Sequence, residues 1–293
     1  MWINKIKTVL LLGALSSLLL LLGQLFGGTA GLQFALIMAL VMNGIAYFFS
    51  ETIVLKMYRA QKLDAEKYSW LYDIVQKLAL TMKIPMPKLW LINTPMANAF
   101  ATGRNPSHAS IAVTTGILEV LDTHELRGVL AHELSHVKNR DILVSTIAAT
   151  VATAIGYLAN MIQYAAFWGS MSNDRRQRGN PIFMLLVAML MPIAAMLIQL
   201  AISRSREYLA DETGSHYSHD PLALASALEK LHNNIPRAHM DNKDATRATT
   251  APLFIVHPFT TNGWASLFST HPPMRKRVER LQKLYEQMHG KRF

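Results

Sequence analysis

Residues 122–138 read DTHELRGVLAHELSHVK, and this stretch decides the centre of the fold. Asp122 followed three positions later by Glu125 matches a capping box, so a helix is predicted to begin near residue 123. Apolar residues recur along it with the period of a helix, which gives the helix one buried face. These residues are Leu126, Val129, Leu130, Leu134 and Val137.

The same helix carries the pattern His-Glu-x-x-His at His132, Glu133 and His136. Residues i and i+4 lie on one helical face, so both imidazoles can bind one zinc ion while Glu133 takes a proton from the water that zinc activates. With 11 histidines in 293 residues, random order gives this pattern with a probability on the order of 0.01. The chain has no cysteine, so only His, Asp and Glu remain as zinc ligands.

A third zinc ligand is expected downstream, where the candidates are Glu207, Asp211, Glu212, His216 and His219. Glu207 and Asp211 are again i and i+4, so one can bind the metal while the other orients a ligand histidine. The spacing does not decide which carboxylate has which role. The two histidines follow Gly214, a predicted helix end, and are expected at the surface.

Composition predicts a membrane protein. Hydrophobic residues make up 51% and charged residues only 16% of the chain, where about 25% charged is usual. Residues 8–50 carry no charge, and a glycine-rich break at 27–31 divides them into 8–26 and 32–50, long enough for a transmembrane hairpin. The alternative is a cleaved signal peptide, because residues 28–30 resemble a cleavage site.

Two further apolar segments, 142–173 and 179–203, flank an arginine-rich stretch at 174–178 and predict a second hairpin. Lys5 and Lys7 place the N-terminus and residues 51–141 in the cytoplasm by the positive-inside rule. The arginines would then lie outside, against that rule. Either the second hairpin does not fully cross the membrane or these arginines are a local exception.

The sequence thus divides into residues 1–50 as a transmembrane hairpin, 51–141 and 204–293 as two parts of a catalytic domain, and 142–203 as a second apolar hairpin. An amphipathic helix is predicted at 62–83, strands at 88–93 and 110–114, and a strand or turn at 98–103. The predicted fold class is mainly α with a small β-sheet, a multi-pass membrane protein with four apolar segments and a zincin-like catalytic body.

The formal net charge of +10 is interpreted as a sign of contact with a lipid bilayer and not of nucleic-acid binding. The reason is that no interleaved aromatic pattern accompanies the basic residues. The zinc motif predicts an endopeptidase acting on polypeptides. A membrane-anchored, zinc-dependent binding or chaperone-like protein is the alternative. A peptidase that accepts many sequences binds the substrate backbone at an exposed strand edge. Asn98 and strand 110–114 are candidates for that edge, or are simple sheet core.

Four motifs, in this order, resemble the HtpX-type membrane zinc metalloproteases of bacteria, relatives of the eukaryotic CAAX prenyl proteases. They are NAFATG at 98–103, AHELSH at 131–136, SREYLAD at 205–211, and STHPP at 269–273 followed by Arg277. Together with the apolar hairpins, the resemblance covers nearly the whole chain.

The resemblance implies one zinc ion per chain, with Glu207 as the third ligand and with Asp211 and Arg277 supporting the ligands from behind. It implies that His271 stabilises the oxyanion and that Asn98 binds substrate backbone. Proteins of this type lie in the bacterial inner membrane with the catalytic domain in the cytoplasm. They degrade misfolded or damaged membrane proteins, often under stress.

Overall fold

The structure, a computed structural model, describes residues 2–147, 150, 204–234 and 272–290. Most of the predicted second hairpin and His271 lie outside the described residues. These residues include seven helices and four strands. They are α1 (Trp2–Met57), β1 (Gln61–Lys62), α2 (Ser69–Met82), β2 (Lys88–Ile92), β3 (Ala99–Asn105), β4 (His108–Thr114), α3 (Thr115–Val120), α4 (Thr123–Lys138), α5 (Arg204–Ser218), α6 (Pro221–Asn233) and α7 (Met274–His289).

Helix α1 reverses direction at Gly28, which has φ 55° and ψ −140°. Asn43 Nδ2 donates a hydrogen bond to Ser16 Oγ over 2.8 Å. In a straight helix these residues, 27 positions apart, would be separated by about 40 Å. The two halves therefore lie antiparallel, with the turn inside the predicted glycine-rich break. Among the described residues one helix, Gly28–Met57, is long and apolar enough to cross a membrane.

The four strands form one mixed sheet in the order β1-β2-β4-β3, in which β2 and β4 are parallel and the other pairs antiparallel. Ile111 and Val113 of β4 face the main core, while Ala112 between them packs against the end of α1 through Val54 and Leu55. This alternation is the period of a strand that is covered on both faces. The sheet therefore lies between the end of α1 and the helical body.

Helix α4 crosses the centre of the helical body and packs against α2, α5, α6 and β3. The predicted capping box is confirmed, since Asp122 Oδ1 accepts from Glu125 N at 2.9 Å and Glu125 Oε2 accepts from Asp122 N at 3.0 Å. A Cβ at Gly214 of α5 would lie 2.9 Å from His132 N. The backbones of α4 and α5 thus touch where the zinc motif lies.

The predicted mostly helical fold with a small sheet is confirmed, although some boundaries differ. The helix expected at 62–83 begins only at Ser69, because residues 61–62 pair with β2 as a strand. It ends with Lys83 at φ 56°, before Pro85. Of residues 98–103, expected as a strand or turn, 99–103 belong to β3 and Asn98 lies just before it.

Candidate metal centre

His132 and His136 bring their side chains together on the buried side of α4. Their Nε2 atoms are 3.2 Å apart. The side chain of His132 is 1% exposed and that of His136 is 17% exposed. The i, i+4 spacing therefore places both imidazoles on one face of the helix, as predicted from the sequence. The ring of His136 remains accessible to solvent.

Glu207, in the first turn of α5, completes the group. Its Oε2 lies 3.7 Å from His132 Nε2, and its Oε1 lies 3.6 Å from His136 Nε2. One ligand atom from each of the three residues lies within 4.8 Å of the others, the arrangement that could hold a metal ion. Asp211, the other candidate, faces His132 from behind, so the two carboxylates have different places in the site.

Each histidine directs its Nδ1 at a separate carboxylate. His132 Nδ1 lies 2.9 Å from Asp211 Oδ1, a short contact although the N–H is not well aligned for a hydrogen bond. His136 Nδ1 lies 3.1 and 3.2 Å from the two carboxylate oxygens of Asp141. A carboxylate behind a ligand imidazole fixes the proton on Nδ1 and leaves Nε2 for a metal.

Sequence reasoning missed Asp141, because five positions after His136 a continuous helix would turn it away. The helix instead ends in a Schellman motif with Arg140 at φ 56°. Asp141 N then donates to His136 O at 3.2 Å, and Arg140 N donates to Val137 O at 3.2 Å. This turn returns the carboxylate of Asp141 to the imidazole. An acidic residue just after the helix end was the available signal.

The donor atoms fit a zinc ion. Tetrahedral zinc with bonds of about 2.0–2.1 Å places two ligand nitrogens about 3.3 Å apart, close to the distance between the two Nε2 atoms. With both Nδ1 atoms protonated toward carboxylates, the two Nε2 lone pairs face each other and require a cation between them. Burial alone would lower the pKa of His136, but Asp141, with Glu207 and Glu133, raises it to about 10.

Arg277, on α7, is 2% exposed and ties the carboxylates together. Its Nε donates to Asp211 Oδ2 over 2.8 Å and its Nη2 donates to Asp211 Oδ1 over 2.6 Å. Its Nη1 lies 3.6 Å from Glu207 Oε2. Burial alone would raise the pKa of Asp211, but Arg277 and His132 together hold it below its ordinary value. The C-terminal helix therefore contributes a buried charge to the site.

Glu133 points at the outer edge of β3. Its Oε2 accepts a hydrogen bond from Ala101 N at 2.9 Å. Thr114 N donates to Asn98 O across the β3–β4 pair. In an antiparallel ladder hydrogen-bonded and non-hydrogen-bonded positions alternate, so the backbone groups of Ala99, Ala101 and Gly103 point away from β4. Thr146 Oγ1 accepts from Gly103 N at 3.3 Å further along this edge. Burial, with Glu207, raises the pKa of Glu133 against the opposing effect of the two histidines.

For strand 110–114 the alternative of simple sheet core is confirmed, and the alternative of an exposed edge is wrong. β4 lies between β2 and β3, so both of its edges are paired, and β3 is the strand beside Glu133. Asn98 is 3% exposed and lies just before β3, where its N–H donates to Thr114 Oγ1 at 2.9 Å. His216 and His219, expected at the surface, are exposed.

The chain matches the model of peptidase family M48 over residues 65–285. The chain belongs to peptidase family M48. A similar protein is the "Protease HtpX homolog" of Syntrophobacter fumaroxidans, 50% identical over 283 residues that cover 96% of this chain and 99% of the relative. That of Persephonella marina is 50% identical over 288 residues, covering 97% of this chain and 99% of the relative. The resemblance to HtpX-type proteases is thus confirmed.

A solved structure is also similar to this chain. The crystal structure of Ste24p of S. mikatae aligns with a TM-score of 0.52 at 18% identity, over 96% of this chain and 65% of that protein. At this identity the likeness concerns the fold alone. M48 membership makes the chain a metalloprotease, and the group formed by His132, His136 and Glu207 is compatible with that activity.

Proposed function

We propose that the chain is a membrane-anchored zinc endopeptidase that hydrolyses peptide bonds in misfolded or damaged membrane proteins at the cytoplasmic face. The observation that carries the proposal is the convergence of His132, His136 and Glu207 beside Glu133 and a strand edge. One zinc ion per chain is proposed, held by the two Nε2 atoms and the Glu207 carboxylate. Two histidines and a carboxylate suit zinc among the divalent metals.

When bound, zinc would polarise the scissile carbonyl and lower the pKa of the attacking water. The chain's own contribution to proton transfer is Glu133. Its carboxylate takes the proton of the attacking water at Oε1 or Oε2 and then delivers it to the leaving amine nitrogen. Burial raises the pKa of this carboxyl, which makes the carboxylate a stronger base.

The substrate backbone is proposed to pair with the outer edge of β3, near Ala99 and Ala101. Pairing through backbone groups accepts many side chains, as a protease for misfolded proteins requires. We assign to Asn98 a contact with this substrate backbone. His271 is assigned to the oxyanion by its resemblance to the family histidine. His271 precedes Arg277 by six positions, a length of chain that permits His271 to reach the site.

Both hairpins are proposed to cross a bacterial inner membrane. The helix Gly28–Met57 is about 45 Å long, more than the hydrocarbon core of a bilayer requires. Several of its large apolar side chains are exposed, among them Phe34, Leu40, Phe48 and Phe49. Lys5 and Lys7 favour a cytoplasmic catalytic domain by the positive-inside rule. A role in the stress response is proposed from the family resemblance.

The test is cleavage of an unfolded protein by the detergent-purified chain. Four samples are compared: the wild type, the chelated protein, the zinc-restored protein and Glu133→Gln. We expect activity to be lost on chelation and restored by zinc. Glu133→Gln should bind one zinc per chain and lose at least a hundredfold in turnover, as removal of a general base does.

Glu212→Gln, an exposed-face change one residue from Asp211 on α5, is the matched control and should retain turnover. Stoichiometric zinc with no cleavage in any sample would favour the zinc-dependent binding protein instead. Activity unaffected by chelation would refute the zinc mechanism. Substrate class is tested by reconstituting the chain with a destabilised multi-span protein and its stable parent, of which the destabilised form should be cleaved faster.

A further inference from the structure

A cationic cavity of about 430 Å³ lies outside the metal centre, between the ends of two helices and the β3–β4 turn. Lys83, Lys138 and Arg140 line it, together with residues 105–107 of the turn. None of the described residues that line it is acidic. A cavity of this size is within the range of small-ligand sites, and its charge selects an anion.

The cavity lies where the structure meets the proposed membrane surface. Arg104, next to the turn, has its guanidinium 5.8 Å from the ring centre of Phe48 on α1. Phe48 is 60% exposed and lies three residues before Glu51, the first charged residue after the apolar run. Its neighbour Tyr47 is 38% exposed, and tyrosine at such a position is typical of the boundary between hydrocarbon and headgroups. The turn, and the cavity behind it, are therefore at the level of the headgroups.

The two helix ends share an unusual feature. α2 ends in a Schellman motif in which Ile84 N donates to Ala79 O at 3.0 Å and Lys83 N donates to Leu80 O at 3.1 Å. α4 ends in the same motif with Arg140 in the equivalent position. Glycine is usual there, because an L side chain in the left-handed conformation is strained. Lys83 and Arg140 both have φ 56°, and both line this one cavity.

Lys138 joins the two helix ends beneath the cavity. Its Nζ donates to Met82 O over 2.8 Å and lies 4.9 Å from the ring centre of Tyr217. The cavity walls are thus fixed to each other by α4, α2 and α5. Ile84, Pro85 and Pro106 add apolar surface to the lining. Cations with adjoining apolar surface match a phosphate followed by a glycerol backbone and acyl chains.

We propose that this cavity binds the headgroup of an anionic phospholipid of the cytoplasmic leaflet. The inference depends on the membrane anchoring proposed above and extends it to a lipid-specific site. Anionic lipids give that leaflet a negative surface potential, and basic pockets at this level bind their headgroups. Because Arg140 immediately precedes Asp141, the lipid would also brace the turn that holds Asp141 against His136.

The test measures binding, so it does not depend on peptidase activity. The full chain, purified in a neutral detergent and carrying Glu133→Gln to prevent self-cleavage, is titrated with dioctanoyl phosphatidylglycerol, dioctanoyl phosphatidylcholine or inorganic phosphate. Native mass spectrometry gives the bound fraction. We expect the Kd for phosphatidylglycerol to be at least tenfold lower than for phosphatidylcholine, and inorganic phosphate not to displace the lipid at equal concentration.

Lys83→Gly/Arg140→Gly removes both cations and places glycine where the left-handed conformation favours it. This variant should fold at least as well as the parent, while its Kd for phosphatidylglycerol rises at least fivefold. Lys77→Gln/Arg127→Gln removes the same charges from exposed positions on the same two helices, α2 and α4, and should change the Kd by less than twofold.

Equal affinity for the two lipids, or a double-glycine variant that keeps its lipid selectivity, would overturn the proposal. Displacement by inorganic phosphate at equal concentration would assign the cavity to a free anion and refute the lipid site. If the cations serve only the helix dipoles, the double-glycine variant loses stability without lipid and its lipid binding does not change. Failure of the peptidase test would leave each of these results unaltered.

Discussion

Arg277→Met offers the sharpest test of how the metal centre is supported. Methionine keeps the length of the side chain but removes two charge-assisted hydrogen bonds to Asp211, of 2.6 and 2.8 Å. Such bonds contribute about 1.5–3 kcal/mol each. Breaking a buried ion pair by removing one partner costs about 3–5 kcal/mol, because the other charge stays buried. The two magnitudes agree, so the metal-free chain should lose about 3–5 kcal/mol of stability.

Saturating zinc should enlarge this loss, because a variant that binds zinc more weakly gains less stability from it than the wild type does. The zinc affinity itself should fall by about 10–100-fold, the usual effect of removing a group that holds a ligand in place. The assay compares thermal unfolding of metal-free and zinc-loaded protein and measures zinc affinity by competition with a chromophoric chelator. The shift in the unfolding midpoint should be larger at saturating zinc than without it.

Two further variants make this reasoning refutable. Arg275→Met removes an exposed arginine from the same helix and should change neither quantity. Asp211→Asn in the Arg277→Met background removes the stranded charge, so the double variant should be more stable than Arg277→Met alone. Equal behaviour of Arg277→Met and Arg275→Met, or no recovery in the double variant, would show that Arg277 does not support the site through Asp211.

Three other predictions concern residues around the centre. Asp141→Asn should weaken zinc binding about 10–100-fold, measured by competition with a chelator, while Asp73→Asn on α2 should leave the affinity unchanged. Equal zinc affinities of the two variants would show that Asp141 does not support the site. The pKa of Glu125 lies below its ordinary value of 4.5, because its hydrogen bonds to Lys230, Ser226 and the Asp122 N–H outweigh the effect of burial. The stability that the Glu125 carboxylate contributes is therefore complete above about pH 4.5 and is lost as the pH falls below that value. Thermal midpoints of wild type and Glu125→Gln should therefore differ at about pH 7 and converge on acidification, and a constant difference would contradict this. Gly214→Ala should cost about 1–3 kcal/mol, since its Cβ would meet the His132 backbone, whereas Gly44→Ala, with open space around it, should not lower the unfolding midpoint.

The centre of the site could be predicted because its determinants are local. The capping box at Asp122 fixes where α4 begins, and the helical period then places His132 and His136 on one face. Glu207 and Asp211 were correctly identified as a pair on one face of a helix, α5. Their separate positions, one facing the Nε2 atoms and one facing His132 Nδ1, depend on how α5 packs on α4, and periodicity alone does not specify that packing.

The parts that were missed depend on tertiary contacts. Asp141 reaches His136 only because Arg140 adopts a left-handed conformation. Glycine usually occupies this position at a helix end, so an arginine there does not predict such a turn. Strand 110–114 was a reasonable edge candidate by composition, but strand order is set by chain connectivity, and β3 takes the edge. Residues 142–203 were predicted as a hairpin from hydropathy, and that prediction stands untested in the residues the structure describes.

The outer edge of β3 also bears on how the protein avoids binding itself. An unpaired strand edge is a template for uncontrolled aggregation, because any extended chain can add to it. Here Glu133 occupies the N–H of Ala101, and Thr146 occupies the N–H of Gly103. A strand from a second copy would have to displace both contacts to extend along this edge. Under the proposed function, a flexible unfolded chain would adapt to the short accessible length of this edge more readily than a strand fixed in a folded neighbour.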